Sequence, residues 1–316
     1  MKYTRPGTHH ARYIEGSIPY HVMSKTIRGA LALKPSVELT QMLIGVLARA
    51  KSNWPSIQLF AVTVLSNHFH MMLQGPPKDF SSFVGFFKRE TSRRLGQMYG
   101  ESGPLWHSRY RHTALPTAQA QLGCLRYILE NSVKEDLVER CGDWPGVHSA
   151  TALTQGTPLR GRWFDATAFG RAKHRGKGPD RSEFWVDEEL HLDAIPAWSQ
   201  LSIDARLKKA KKMVDAIDQA ASTRRSTTGA RVLGAREVLA QQRTQTRMPP
   251  KPSWYSVRRR CMCAWVDFSE AAVQQFVARY RRFQSQFRLA SDCLFAGLGE
   301  EPFPIGAWKP ATMVSN

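Results

Sequence analysis

Long hydrophobic runs are missing from this chain. No stretch of eighteen or more apolar residues occurs, which excludes a membrane-spanning helix. The N-terminus, Met1 to Pro6 followed by His9-His10, has no apolar segment of the kind that opens a secretory signal, so the expected location is the cytoplasm. Cysteine is sparse and odd in number: five residues, at 124, 141, 261, 263 and 293. Only Cys261 and Cys263 stand close together, and no second pair completes a zinc spacing. Free thiols in a reducing compartment are expected, not a disulfide framework. Internal repeats are absent as well, which excludes a solenoid.

Acidic residues are scarce beside basic ones. Against 45 Lys and Arg stand 26 Asp and Glu, a formal charge of +19 over 316 residues. The excess is spread out: 18 basic against 10 acidic residues in 1–150, and 27 against 16 in 151–316. A field of this sign along the whole chain suits a polyanion, with nucleic acid ahead of an anionic membrane surface. The apolar fraction of 42% is ordinary and can build a core.

Residues 1–16 are polar and basic and are expected to form an arm. Ser17 to Ile27 reads as a strand. Val37 to Ala50, after the stop and cap Lys34-Pro35-Ser36, carries Leu39, Met42, Leu43, Val46 and Leu47 at helical spacing. Ile57 to Leu65 is a β-branched strand, Ser66-Asn67 a tight turn, and His68 to Gln74 a second strand. Asp79, as N-cap, opens a helix to Met98 with Phe83, Phe86, Phe87 and Leu95 on its apolar face. Leu105 to Leu115 is extended, and Ala118 to Val133 is helical. The order β-α-β-β-α-β-α predicts an α+β, ferredoxin-like antiparallel sheet domain over 17–150. Residues 151–182 read as a basic linker and 183–316 as a mainly helical basic extension. Within the latter, Phe184 to Ile217 and Glu270 to Ala290 have helical patterns, Met248 to Pro252 is a Pro-rich link, and Phe303 to Trp308 an extended tail.

The chemistry centres on Asn67-His68-Phe69-His70. In a strand, alternation turns His68 and His70 to one face and Phe69 to the other. Two imidazoles side by side can chelate a metal, although an isolated H-x-H is also compatible with two core or surface histidines. In a helix over Ala118 to Val133, Tyr127 and Asn131 lie four residues apart on one face. A phenol is a competent nucleophile toward phosphorus once the phosphate is polarised, and an amide oxygen can complete a two-histidine metal site with open positions. The bland alternatives are a core tyrosine and a helix-capping asparagine. Lys88, Arg89, Arg93, Arg94, Arg109, Arg111 and Arg126 flank these residues, interleaved with Phe80, Trp106, Tyr110 and Trp144. Basic groups that track phosphates, mixed with aromatics that stack on bases, form a single-strand nucleic-acid pattern.

Residues 10–149 resemble the REP-associated tyrosine transposases, a branch of the single-tyrosine HUH endonucleases. The carrying motifs are Asn67-His68-Phe69-His70-Met71-Met72-Leu73, then Leu105-Trp106-His107-Ser108-Arg109-Tyr110, then Leu125 to Val133 with Leu137-Val138 and Asp143-Trp144-Pro145. The resemblance implies that His68, His70 and Asn131 ligate magnesium or manganese and that Tyr127 is the nucleophile. It further implies cleavage of single-stranded, hairpin-bearing DNA through a 5′-phosphotyrosine with a free 3′-hydroxyl. Two departures stand out: Ser132 where the family commonly has proline, and Phe69 where it often has Val or Leu.

The expected protein is thus a transposase-type endonuclease and strand transferase, monomeric or homodimeric, with no membrane partner. A non-cleaving hairpin DNA- or RNA-binding descendant is the first alternative. A metal hydrolase without covalent catalysis is the second. The basic extension is expected to add DNA contacts.

Overall fold

The structure, a computed structural model, describes residues 11–175, 178–244, 270–298 and 302–307. Most of the expected arm (1–10), the 248–252 link, Cys261, Cys263 and the tail end at Trp308 lie outside the described residues.

Four strands form the principal sheet: β1 (Tyr20–Lys25), β2 (Gln58–Leu65), β3 (His68–Gln74) and β4 (Arg111–Ala114). Their spatial order is β2-β3-β1-β4, every neighbouring pair antiparallel. With α1 (Val37–Asn53) between β1 and β2, and α2 (Pro77–Tyr99) between β3 and β4, this is the ferredoxin-like split βαβ arrangement. A third helix, α3 (Ala118–Lys134), follows β4.

The two faces of the sheet are buried by different helices. Tyr20, Val22, Val62, Val64, Phe69, Met71 and Leu73 pack with α1 and α2. Phe60, Ala61, Leu65 and Met72 pack with α3 through Cys124, Leu125, Ile128 and Leu129. A bulge in β2 between Leu59 and Ala61 sends both Phe60 and Ala61 toward α3 and then restores alternation. Because both faces are covered, β2 is a nearly continuous apolar run and not an alternating one.

Local chemistry sets the helix starts. Ser36 Oγ accepts from Leu39 N at the head of α1, and Thr117 Oγ1 accepts from Ala120 N at the head of α3. For α2 the expected cap is corrected: the helix starts at Pro77, and Asp79 lies inside its first turn, accepting from Ser56 Oγ. The free edge of β2 is covered by the strap from Trp144 to Ser149. Val64 N donates to Val147 O, Trp144 Nε1 donates to Val64 O, and Ser149 Oγ bonds both Val62 N and Val62 O.

The region after residue 150 departs from its sequence reading. The expected linker holds α4 (Ala150–Gln155), strand β5 (Leu159–Phe164) and α5 (Ala166–His174). The expected helical start at Phe184 is instead strand β6 (Trp185–Leu190), paired antiparallel with β5. The hairpin lies on α1 with almost no side chain between. A Cβ on Gly45 would stand 2.1 Å from Arg162 O, and one on Gly161 would stand 2.4 Å from Gln41 O. Beyond it, α6 (Ile203–Thr228) packs on α3 and α4, α7 (Ala235–Ala240) brings Val238 into the α3-side core, and α8 (Glu270–Ala296) sets Phe276 and Phe283 against Tyr13. The extension therefore wraps the sheet domain and contributes to both of its cores.

Candidate active site

Strand alternation and helix placement converge beneath α3. Phe69 is 0% exposed and stacks edge-on against Phe87 and Trp106, on the α2 side. His68 and His70 therefore occupy the opposite face, with ring centroids 4.8 Å apart. α3 lies over that face: Thr63, the cross-strand partner of His70, donates from Oγ1 to Ile128 O at 3.0 Å. This docking brings the Tyr127 ring edge-on to His70, 5.3 Å between centroids.

The histidine orientations are defined by hydrogen bonds. Asn67 donates from Nδ2 to Gly29 O, which leaves Oδ1 to accept from His68 Nδ1 at 2.6 Å. A third histidine, His21 on β1, lies on the same face. Its Nε2 is 2.8 Å from His70 Nδ1, and the two rings stack with centroids 5.0 Å apart. It also meets Tyr127 edge-on at 5.7 Å. Burial holds His21 and His68 down at about 4; it also holds His70 well below its ordinary value, where the like charges of His21 and His68 add to desolvation. All three are neutral near pH 7, the form that offers a nitrogen lone pair.

Asn131 is 4% exposed and donates from Nδ2 to Tyr127 O at 2.6 Å. The planar amide thus presents Oδ1 on its other side. Ser132, in place of a proline, lets α3 continue to Lys134. Tyr127 is half-buried, and Lys134 Nζ is 5.2 Å from its ring centroid. Burial raises the phenol above its ordinary value, with Glu135, Cys124 and Glu130 adding to the shift.

The donor set fits a divalent cation. His70 Nε2 is buried with no hydrogen-bond partner within the protein. Two imidazole nitrogens and one amide oxygen suit an ion that keeps other positions for phosphate and water. Among the described residues no three His, Cys, Asp or Glu side chains group as a metal cluster.

The basic residues separate by location. Arg111 pairs with Met23, which places its exposed side chain on the His21 face, and Lys25 pairs with His68 on that same face. Arg126 is on α3 beside Tyr127 and forms an ion pair with Glu130. Arg109 is exposed ahead of β4. Lys88, Arg89, Arg93 and Arg94 belong to α2, behind the sheet. Lys88 donates to Ser108 O, and burial first, with Arg12 adding, brings it down to about 8. Arg93 binds Glu90. Arg94 corrects its expected DNA role: it is 6% exposed, pairs with Glu90, donates to Phe164 O and stacks 3.7 Å over Trp163. It tethers the β5–β6 hairpin. His21 and Lys25 escaped the sequence reading because neither carries a local motif. The period-2 face of β1 was their only signal.

Fold and site define a class: a ferredoxin-like domain with a His-x-His strand set against a tyrosine on the helix that follows the last strand of the sheet. Residues 17–131 match the family model described as "Transposase IS200 like", a span holding His68, His70, Tyr127 and Asn131. Two curated relatives, the transposases for insertion sequence element IS200 of Salmonella typhimurium (strain LT2) and Salmonella typhi, are each 30% identical over 59 residues. Those residues are 18% of this chain and 39% of either relative, so the chain spans well under half the length of the relatives it matches. A solved REP-associated tyrosine transposase bound to a REP hairpin is 23% identical, with a TM-score of 0.37, covering 44% of this chain and 81% of its own. The expected resemblance is thereby met: residues 17–131 are similar to the IS200-like transposases.

Proposed function

We propose that this protein is a metal-dependent endonuclease and strand transferase of the transposase type, acting on single-stranded DNA that carries a hairpin. The observation that supports this reading most directly is the packing of Tyr127 against His70, with His68 alongside, by two elements far apart in sequence. A core tyrosine and two structural histidines need not meet in this way.

His68 and His70, through Nε2, and Asn131, through Oδ1, would hold magnesium or manganese. When bound, that ion supplies Lewis-acid polarisation of the scissile phosphate. Tyr127 Oη attacks phosphorus in line. The P–O3′ bond breaks, a phosphotyrosine ester forms on the 5′ side, and the phenolic proton leaves as the 3′-oxygen becomes a hydroxyl. Reversal by a 3′-hydroxyl re-forms a phosphodiester and frees the tyrosine, so no external energy source is required. Because burial raises the Tyr127 pKa, its proton must be drawn off during attack and not beforehand. Arg111, Lys25, Arg109 and Arg126 would hold flanking phosphates.

Incubation with manganese and hairpin-bearing single strands should yield a covalent adduct on denaturing gels. Tyr127→Phe should abolish it, with DNA retention in a filter assay unchanged within about twofold. An adduct that persists in this variant removes Tyr127 as the nucleophile. The alternative is a non-cleaving hairpin-binding descendant. That protein would retain the oligonucleotide and form no adduct with any divalent ion.

A further inference from the structure

We propose that His21 is a positioning residue for the metal site: it accepts a hydrogen bond from His70 Nδ1 and so fixes His70 in the tautomer whose Nε2 lone pair faces the cation. This rests on the reading of His68 and His70 as ligands and adds a residue outside that ligand set.

Neutral imidazole carries one N–H, so in the His21–His70 pair one nitrogen donates and the other accepts. The contact joins His21 Nε2 to His70 Nδ1 at 2.8 Å. Two tautomer arrangements satisfy it. If His21 donates, the proton of His70 sits on Nε2, a buried atom with no partner within the protein. An orphaned buried N–H is rare and costly. If His70 donates, Nε2 is a bare lone pair, which a cation satisfies. The second arrangement is the one that a metal site requires.

His68 shows the same design with an unambiguous partner. Asn67 turns Nδ2 to Gly29 O, so its Oδ1 can only accept, and His68 Nδ1 must donate to it. Each histidine of the pair is thus held at Nδ1 by a side chain that turns Nε2 outward. A hydrogen bond to the remote ring nitrogen is the usual way of orienting a ligating histidine and raising its basicity. Placement argues against His21 as a ligand itself. Its Nε2 is directed at His70 and not away from it, and the two rings are stacked at 12°. The strand register enforces this: His21 opposes Met72 and His70 opposes Met23, so the two histidines are diagonal neighbours on one face.

The test uses the 316-residue chain and has two independent readouts. Long-range 1H–15N correlation spectra of metal-free wild type report the His70 tautomer directly; Nδ1–H is expected, and Nε2–H overturns the proposal. Manganese titration followed by the electron paramagnetic resonance of free ion reports affinity without catalysis. His21→Phe keeps a ring but cannot accept, and affinity should fall about 10–100-fold. His21→Gln offers an amide oxygen and should recover most of the loss. If folded His21→Phe binds manganese as wild type does, the proposal fails. Should His21→Phe not fold, the comparison passes to His21→Gln and the spectra, and a His70 Nε2–H signal in the wild type still refutes it. Wild type that binds no manganese defeats the ligand assignment, a separate failure, while the tautomer remains measurable.

Discussion

His148 shows how much one buried imidazole can tie down. Its Nε2–H donates to Leu129 O on α3, and its Nδ1 accepts from Ala150 N, so the neutral ring is fully bonded. Protonation must break the Ala150 bond and bury a charge, and burial accordingly lowers its pKa from the ordinary 6.5 to about 4. The folded state thus binds fewer protons than the unfolded state between those values. Stability is fully present above about pH 6.5 and is lost as pH falls toward 4, by up to about 1.4 kcal/mol per pH unit. Melting temperatures measured from pH 7.5 to 4.5 should decline through this window, and His148→Gln, less stable at neutral pH, should show a shallower decline. Equal slopes for the two proteins would mean that His148 does not carry the effect.

At the level of elements, α1 and the β5–β6 hairpin meet backbone to backbone through Gly45 and Gly161. For Gly45→Ala two effects compete. Alanine is favoured over glycine inside a helix by about 1 kcal/mol. Against this, the new methyl would lie 2.1 Å from Arg162 O, and backbone must move. Overpacking costs about 1–3 kcal/mol and more where the neighbour is backbone, so destabilisation should win. Thermal unfolding should show a lower midpoint for Gly45→Ala, and proteolysis should nick the loosened hairpin first. A raised midpoint would show that the hairpin does not press on α1. The helix of the tyrosine is braced in its turn by α6: Arg224 donates to Val133 O and Lys134 O at the end of α3 and pairs with Asp136. Those bonds satisfy carbonyls that a helix terminus otherwise leaves open.

For the whole molecule, the +19 charge predicts DNA affinity that falls steeply with salt, since each neutralised phosphate releases counterions. The location of each cation sorts the individual effects. Arg111→Ala and Lys25→Ala, on the site face, should each reduce the slope of log affinity against log salt by about 0.7 for single strands. Arg94→Ala should leave that slope unchanged and lower the melting temperature, because its guanidinium is spent on Glu90, Phe164 O and Trp163. A salt slope that drops for Arg94→Ala and not for Arg111→Ala would reverse the assignment of the binding face. The extension after residue 150 fills both cores, so its basic residues divide between bracing, as Arg224 does, and exposed positions such as Lys208 and Lys209.

Local periodicity alone determined the order of strands and helices through α3, the opposite facing of Phe69 and the two histidines, and the shared face of Tyr127 and Asn131. Such patterns are properties of a few consecutive residues, and the motif at 67–73 and residues 125–131 lie within the span that matches one family model. Tertiary structure decided the rest, because it depends on partners far along the chain. His21 is a lone histidine in a strand until β1 is laid beside β3, which brings it to a residue 49 positions away. Arg94 looks like one more DNA-facing cation until the hairpin buries it. That hairpin was illegible in turn: its short strands carry Arg160, Arg162, Asp187 and Glu189 outward, and its inner face gains meaning only against the glycine-notched surface of α1.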